Sequence, residues 1–143
     1  MNPVETLLAE PGGFWSRADP ASEAEVAALI EQTRIEWPLP LINLWRFSNG
    51  GEGELALPPM WFALWKTSEV RELDTDSKLD DSFNEFQFFG TNGGLESIGL
   101  DLRKPRLPVF MIDLIAGVES LEYIAEDAYE FVNAIGLEYK ENA

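Results

Sequence analysis

Apolar side chains recur at intervals of three and four between residues 22 and 37, the period of one helical face. Ser22 and Glu25 match a capping box, in which each side chain accepts a hydrogen bond from the other residue's backbone N–H. The pattern therefore predicts a helix that begins after Ser22. Its buried face is formed by Val26, Leu29, Ile30, Thr33 and Trp37.

The next segment, 38–48, is apolar on nearly every side. Pro38 fits the first position of a helix but not its interior, so the chain is expected to break near Trp37 and begin a second helix at once. Only Asn43 and Arg46 are plainly polar in it, and such a helix must be covered on most sides. Helices often end at a residue with a positive φ, and Asn49-Gly50 supplies a residue that tolerates it. A turn is expected to follow.

Alternating patterns and turn residues then predict a series of short strands. Two are expected between Gly53 and Trp65, on either side of Pro58-Pro59, and a short helix capped by Thr67 or Ser68 follows. Segment 74–85 is a polar, acidic connection. Further strands are predicted at 86–90, with Phe86 and Phe88 on one face, at 95–102 after the turn TNGG, and finally at 109–113.

The last element is predicted as a four-turn helix that ends before Gly136, because its apolar residues recur at intervals of three and four. These residues are Leu121, Ile124, Ala125, Ala128, Phe131, Val132 and Ile135. The whole chain, 1–143, is therefore predicted to be one α+β domain with its core at about 20–136. A mostly antiparallel sheet is flanked by N-terminal helices and a closing C-terminal helix.

Composition narrows the possible chemistry. The chain contains neither cysteine nor histidine, which excludes disulfides, thiolate and imidazole catalysis, and the usual nitrogen and sulfur ligands of zinc. We therefore expect no enzymatic activity, no metal and no cofactor. The N-terminus has no basic start and no long apolar run, so we expect a cytoplasmic protein without a membrane span.

Charge indicates the kind of partner. The 26 Asp and Glu residues outnumber the 10 Lys and Arg, giving a formal net charge of −16. Nucleic-acid affinity depends on cations that contact phosphates, so nucleic-acid binding is not expected. An acidic surface instead attracts basic proteins, although it can also serve solubility alone. The acids are clustered: residues 69–101 contain nine acids and two bases, and no base lies between Arg106 and Lys140.

Three candidate sites have simpler interpretations. Asp74, Asp76 and Glu85 match the first, third and twelfth positions of a calcium loop, but Lys78 and Leu79 occupy positions that need a ligand and a glycine. GTNGGLE (90–96) lacks the Lys-Ser/Thr of a phosphate-binding loop and reads as a hairpin turn. A pair of carboxylates could hydrolyse glycosides, but nothing in the sequence selects one pair among so many.

Trp61 and Trp65 could form an exposed aromatic platform, although such residues more often belong to a core.

Several segments, in order, resemble the SUKH superfamily of Smi/Knr-type domains over about residues 20–135. They are ASEAEVAAL, Trp37-Pro38 followed by Asn49-Gly50-Gly51, LWKTSEV, GTNGGLESIGLDLR and IAEDAYEFV. The sequence departs from the family pattern at Ile30, Trp37, Leu95 and Ala128. The resemblance implies an α+β domain without catalytic residues. Many bacterial members are similar to immunity proteins that neutralise a cognate toxin, often a nuclease, and fungal relatives resemble regulatory scaffolds.

We therefore hypothesise a protein that binds a cognate toxin stoichiometrically through an acidic surface, with an aromatic anchor. A regulatory scaffold without a toxin partner is the alternative, and the oligomeric state is open. The candidate contact residues are Glu52, Glu54, Trp61, Asp74, Asp76, Asp80, Asp81, Glu85 and Glu96.

Overall fold

The computed structural model describes residues 14–33, 35–75 and 83–139, with all side chains in these ranges except those of residues 74 and 75. Its strands are β1 (Trp15–Arg17), β2 (Gly51–Glu54), β3 (Trp61–Leu64), β4 (Phe86–Thr91), β5 (Glu96–Asp101), β6 (Val109–Asp113) and β7 (Glu122–Ala125). Its α-helices are α1 (Glu23–Thr33), α2 (Leu39–Phe47), α3 (Thr67–Thr75) and α4 (Ala128–Ala134). A 3₁₀ turn spans Val118–Ser120.

All seven strands form one antiparallel sheet in which the strand order follows the chain, from β1 at one edge to β7 at the other. This meander with four helices confirms the predicted α+β class. No helix in the described ranges is both long and apolar enough to cross a membrane.

The first helix begins as predicted. The backbone N–H of Ser22 donates to Glu25 Oε1 at 2.9 Å, and that of Glu25 donates to Ser22 Oγ at 3.1 Å. The hydrogen bonds from Ser22 and Asn49 lower the pKa of Glu25. Val26 and Leu29 are buried, but Ile30 is 42% exposed, so the apolar face is narrower than predicted.

The second helix is buried on most sides, as predicted, and ends at Phe47. Ser48 follows in an extended conformation, and the positive φ angles fall at Gly50 (110°) and Gly51 (107°). The predicted helix end followed by a turn is confirmed. Glycine is required at Gly51, because a Cβ there would lie 2.5 Å from the carbonyl oxygen of Ser16 on β1.

Ser48, which is fully buried, joins β1 to the end of α2. Its Oγ accepts hydrogen bonds from Trp15 Nε1 at 3.3 Å and from the backbone N–H of Ala18 at 3.0 Å. The same hydroxyl donates to the carbonyl oxygen of Gly50 at 2.6 Å. The hydroxyl therefore fixes β1 and the turn together.

Asn49 joins two further helices. Its Oδ1 accepts from the backbone N–H of Thr67, the first residue of α3, at 2.8 Å, and its Nδ2 donates to Glu25 Oε2 on α1 at 3.2 Å. Its own backbone N–H donates to the carbonyl oxygen of Asp19 at 2.8 Å. The Asn-Gly-Gly segment thus connects α1, α2, α3 and the sheet.

The sheet buries apolar side chains on both faces. On one face, Phe62, Phe89 and Leu100 pack with residues of the helices in the larger core. On the other face, Phe83, Phe86, Phe88, Phe110 and Ile112 form a smaller core, so the prediction that Phe86 and Phe88 share a face is confirmed. Adjacent Phe88 and Phe89 enter different cores because successive side chains of a strand point to opposite faces of the sheet.

The predicted four-turn helix at 121–135 is wrong in its first half. Residues Glu122–Ala125 form β7 beside β6, and only Ala128–Ala134 is α-helical. The helix begins here because Asp127 Oδ1 accepts from the backbone N–H of Glu130, while Glu130 Oε1 accepts from that of Glu126. Strand β6 is therefore not the last strand, and β1 was also not predicted. Gly136, with φ at 80°, follows the helix end as predicted.

Asp101, at the end of β5, is fully buried and ion-paired. It accepts from Arg103 Nε and Nη2 at 2.9 and 3.0 Å, and from the Tyr123 hydroxyl at 2.8 Å. Burial alone would raise the pKa of Asp101, but the hydrogen bonds and the charge of Arg103 outweigh it and lower the pKa to about 2. The pair connects the β5–β6 turn to β7.

Asp101 should make stability depend on pH in the acid range. Because its folded pKa of about 2 lies below the ordinary value of 3.8, its contribution is complete above pH 3.8 and is lost as the pH falls towards 2. The shift corresponds to about 2 kcal/mol. We expect urea unfolding to show Asp101→Asn destabilised by about this amount at neutral pH. The difference from wild type should disappear near pH 2. Exposed Glu85→Gln is the control, and an equal acid dependence in both variants would contradict the assignment.

Loss of the Asn49 side chain should destabilise the domain. Asn49→Ala removes the acceptor of the Thr67 N–H, and we expect a loss of about 1–2 kcal/mol in the free energy of unfolding. Urea unfolding followed by tryptophan fluorescence measures it. Asn133→Ala, at an exposed position of α4, is the matched control and should be nearly neutral. Equal midpoints for the two variants would refute a role for Asn49 in joining the helices.

Candidate protein-binding surface

Strand register brings several carboxylates to one end of the sheet. Glu96 lies directly opposite Asp113 on β6, and Glu122 on β7 lies opposite Met111. The connection between β6 and β7 adds Glu119. Glu54, the last residue of β2, lies at the same end of the sheet as Glu96. We call these five residues, Glu54, Glu96, Asp113, Glu119 and Glu122, the acidic end.

Four of the five acidic-end carboxylates surround a shallow cavity of about 330 Å³. Met111 and Leu121 supply apolar walls between them. The lining residues are Glu96, Met111, Asp113, Ala116, Glu119, Ser120, Leu121 and Glu122. The cavity therefore combines negative charge with apolar surface, which suits a long basic side chain better than a metal. No group of potential ligands within the described ranges could hold a metal ion.

The turn after β6 is fixed by Asp113. Its Oδ1 accepts from the backbone N–H groups of Ile115 and Ala116 at 2.8 and 3.3 Å, and its own N–H donates to Ser120 Oγ at 2.9 Å. These bonds form a closed turn that holds Ile115 outward, with its side chain 93% exposed. A rigid turn loses little conformational entropy when a partner binds.

The β4–β5 turn is fixed in a similar way by Asn92. Asn92 Nδ2 donates to Glu96 Oε2 at 3.0 Å, and Asn92 Oδ1 accepts from the N–H of Gly94 at 2.9 Å. The N–H of Gly93 donates to Thr91 Oγ1 at 3.1 Å. Because both glycine amides bond within the turn, they are not arranged to bind a phosphate, and the predicted hairpin turn is confirmed.

The two ends of the sheet differ in how their carboxylates are paired, since Asp101 and Asp127 at the end opposite the acidic end form salt bridges with Arg103 and Arg106. None of the five acidic-end carboxylates forms a salt bridge with a described cation. The described cations next to strand ends lie at the opposite end of the sheet: Arg17, Lys66, Arg103, Lys104 and Arg106. Like charges directly across a strand pair, as at Glu96 and Asp113, are destabilising. A cationic partner would relieve this repulsion.

Exposed apolar side chains accompany the acids. Leu95, beside Glu96, is 77% exposed, and Met60 and Phe14 are each 52% exposed. Trp61 lies opposite Glu54 and stacks on Phe14 with ring centroids 6.2 Å apart. Its indole also lies against Gly93, since a Cβ there would come within 2.7 Å of Trp61 Cδ1. Trp61 is thus a half-buried, fixed aromatic group at the edge of the acidic end.

Three predicted contact residues, Glu54, Trp61 and Glu96, lie at the same end of the sheet, but only Glu96 lines the cavity. Glu52 is exposed on the same strand face as Glu54, two residues before it. Glu85 lies at the opposite end, where its carbonyl oxygen accepts from Leu102 N–H, so the structure does not bring it together with Glu54, Trp61 and Glu96. The Asp74 side chain and residues Asp76, Asp80 and Asp81 lie outside the described part, as does most of the calcium-like loop. Trp65 packs against both cores and is not part of a platform with Trp61.

Sequence reasoning missed Asp113, Glu119, Glu122, Leu95 and Ile115. The misassigned helix at 121–135 placed Glu122 on a helix face rather than on a strand beside Met111. One signal in the sequence was the base-free segment between Arg106 and Lys140, which contains four of these five residues, three of them acids.

Comparison with known proteins adds no assignment: no model of a protein family matches this chain, and no curated protein matches it.

Proposed function

We propose that this protein is a non-enzymatic binding protein that recognises a basic protein through the acidic end of its sheet. The observation that carries this proposal is the set of five acidic-end carboxylates, none in a salt bridge with a described cation, at the end of the sheet that exposes Leu95 and Ile115. Complementary charge favours encounter and discriminates among partners, while buried apolar side chains supply much of the affinity.

The specific role proposed is that of an immunity protein acting in the cytoplasm on a cognate toxin. The sequence motifs that resemble the SUKH superfamily support it, and a nuclease toxin is the partner class that fits best. A nuclease surface must be cationic to hold phosphates, so the acidic end can occupy it or a neighbouring site. The buried carboxylate of Asp101 does not suggest general acid catalysis, because its pKa is lowered rather than raised.

Co-expression with a toxic protein encoded beside this gene tests the role. We expect growth to be restored by the wild type and the two purified proteins to form a one-to-one complex. A neighbouring product that stays toxic, or that does not bind the purified chain at low salt, would refute the immunity role.

Removing charge from the acidic end should weaken this complex. We expect the triple variant Glu96→Gln/Glu119→Gln/Glu122→Gln to raise the Kd by about tenfold, mostly through a slower association rate at low salt. Stopped-flow binding measures the rates. The matched control, Glu31→Gln/Glu36→Gln/Glu85→Gln, removes the same charge from exposed positions away from the acidic end. An equal loss in both triple variants would show that net charge alone matters.

Truncating the exposed side chain of Ile115 should shorten the lifetime of the complex rather than slow its formation. Ile115→Ala is expected to raise the Kd by about tenfold through faster dissociation, as for a buried contact worth above 1 kcal/mol. Because Ile115 is 93% exposed, the stability of the free protein should not change. Leu39→Ala, at a position 57% exposed at the start of α2, is the control. Binding unaffected by Ile115→Ala would exclude this turn from the interface.

A further inference from the structure

Two Asn-Gly dipeptides in the chain have nearly the same local sequence, Ser-Asn-Gly-Gly at 48–51 and Thr-Asn-Gly-Gly at 91–94. A glycine after asparagine leaves the next backbone nitrogen unhindered. That nitrogen can attack the side-chain carbonyl carbon of the asparagine and close a five-membered ring, which is the first step of deamidation. Because the two sites have the same intrinsic chemistry, any difference between them comes from the fold.

The first site, at Asn49, is enclosed by helices. Asn49 Oδ1 accepts from the N–H of Thr67 on α3, and its Nδ2 donates to Glu25 on α1. Gly50 is buried, and a Cβ on it would lie 3.1 Å from the side chain of Lys66. Ring closure at Asn49 therefore requires that contacts to two helices break, and an opening of this kind costs a large part of the stability of a domain.

The second site, at Asn92, lies in the β4–β5 turn, where Gly93 and Gly94 are exposed. Asn92 Oδ1 accepts from the N–H of Gly94 at 2.9 Å, and its Nδ2 donates to Glu96 Oε2 at 3.0 Å. The N–H of Gly93 donates to Thr91 Oγ1 at 3.1 Å. These bonds all join residues of the same turn, so opening it separates no helix from the sheet. Short surface turns open at a low cost in free energy.

The turn also places groups that favour ring closure at Asn92. Attack on its Cγ puts negative charge on Oδ1, to which the N–H groups of Gly94 and Glu96 already donate at 2.9 and 3.3 Å. Hydrogen-bond donors in this position stabilise a developing oxyanion. The turn also requires the unhindered residue: Gly93 has a φ of 82°, and a Cβ on it would lie 2.7 Å from Trp61 Cδ1.

We propose that Asn92 is a site of spontaneous deamidation in the folded protein and that the fold protects Asn49. The nitrogen of Gly93, after losing its proton to hydroxide, forms a bond to Asn92 Cγ. The Cγ–Nδ2 bond then breaks, and Nδ2 leaves as ammonia after taking a proton from water. Addition of water opens the resulting succinimide to aspartate or isoaspartate.

The modification changes charge beside the acidic end. Either product carries a carboxylate in place of the amide that now donates to Glu96 Oε2. The Glu96 side chain loses this hydrogen bond and gains a neighbouring like charge. The reaction depends only on residues of the turn and on water, so it does not depend on the proposed toxin binding.

Peptide mapping of aged protein tests the proposal. The full chain is incubated at mildly alkaline pH, either folded or in concentrated urea, and tryptic peptides 47–66 and 79–103 then report on Asn49 and Asn92 by mass spectrometry. In urea we expect the two rates to agree within about twofold, because the local sequences are alike and the fold is absent. In the folded chain, Asn49 should react at least about tenfold more slowly than in urea, while Asn92 stays within about fivefold of its rate there.

Two controls are built into the same experiment. Exposed Asn84 precedes Glu85 in peptide 79–103 and should remain unmodified, because the side chain of the next residue hinders ring closure. The rate at Asn92 should rise with pH, because hydroxide removes the proton of the attacking nitrogen. A folded-state rate at Asn92 that is suppressed as strongly as the rate at Asn49 would overturn the proposal, as would faster reaction at Asn49.

Anion-exchange chromatography of the intact aged protein gives a second measurement. We expect the wild type to accumulate a more acidic species with time and Asn92→Gln to accumulate far less of it, because a glutamine would have to close a larger ring. Asn84→Gln is the matched control and should age like the wild type. Equal accumulation of the acidic species in Asn92→Gln and the wild type would assign the reaction to another residue and refute the role of this turn.

Discussion

The fold depends on the polar junction at Ser48 and Asn49. The hydroxyl of Ser48 takes part in three hydrogen bonds at once, to β1, to the segment after it and to the turn that leads into β2. Asn49 connects the same turn to the starts of two helices. A buried polar group that is fully satisfied in this way permits one arrangement of its neighbours, because any other leaves it unpaired. The helical layer is thereby held on the sheet in a single position.

Sequence reasoning succeeded where one local pattern was unambiguous. The capping box at Ser22 and the apolar run after Pro38 each allow one secondary structure, and both are confirmed. It failed at 121–125, where the spacing of Leu121, Ile124 and Ala125 fits a helix although the segment is a strand. That choice was decided by pairing with β6, a contact between segments that periodicity does not describe.

The candidate surface could be predicted only in part for the same reason. The sequence suggested Glu54, Trp61 and Glu96 as contact residues, and all three lie at the same end of the sheet. Glu96 meets Asp113 and Glu122 only through the registers of two successive strand pairs, which bring together residues far apart in sequence. A one-residue change in register would move these side chains to the other face. Their assembly is therefore a property of the sheet rather than of any segment.

The uneven distribution of charge along the strands has a consequence for how the molecule approaches another one. Carboxylates without a salt bridge at one end, and ion pairs such as Asp101–Arg103 and Asp127–Arg106 at the other, make the charge of the described residues uneven along the strands and so give these residues a dipole. In the field of a positively charged body a dipole experiences a torque as well as an attraction. The molecule would rotate during diffusion until its carboxylates lead. A larger share of collisions would then begin in the orientation that permits contact, before any side chain has touched.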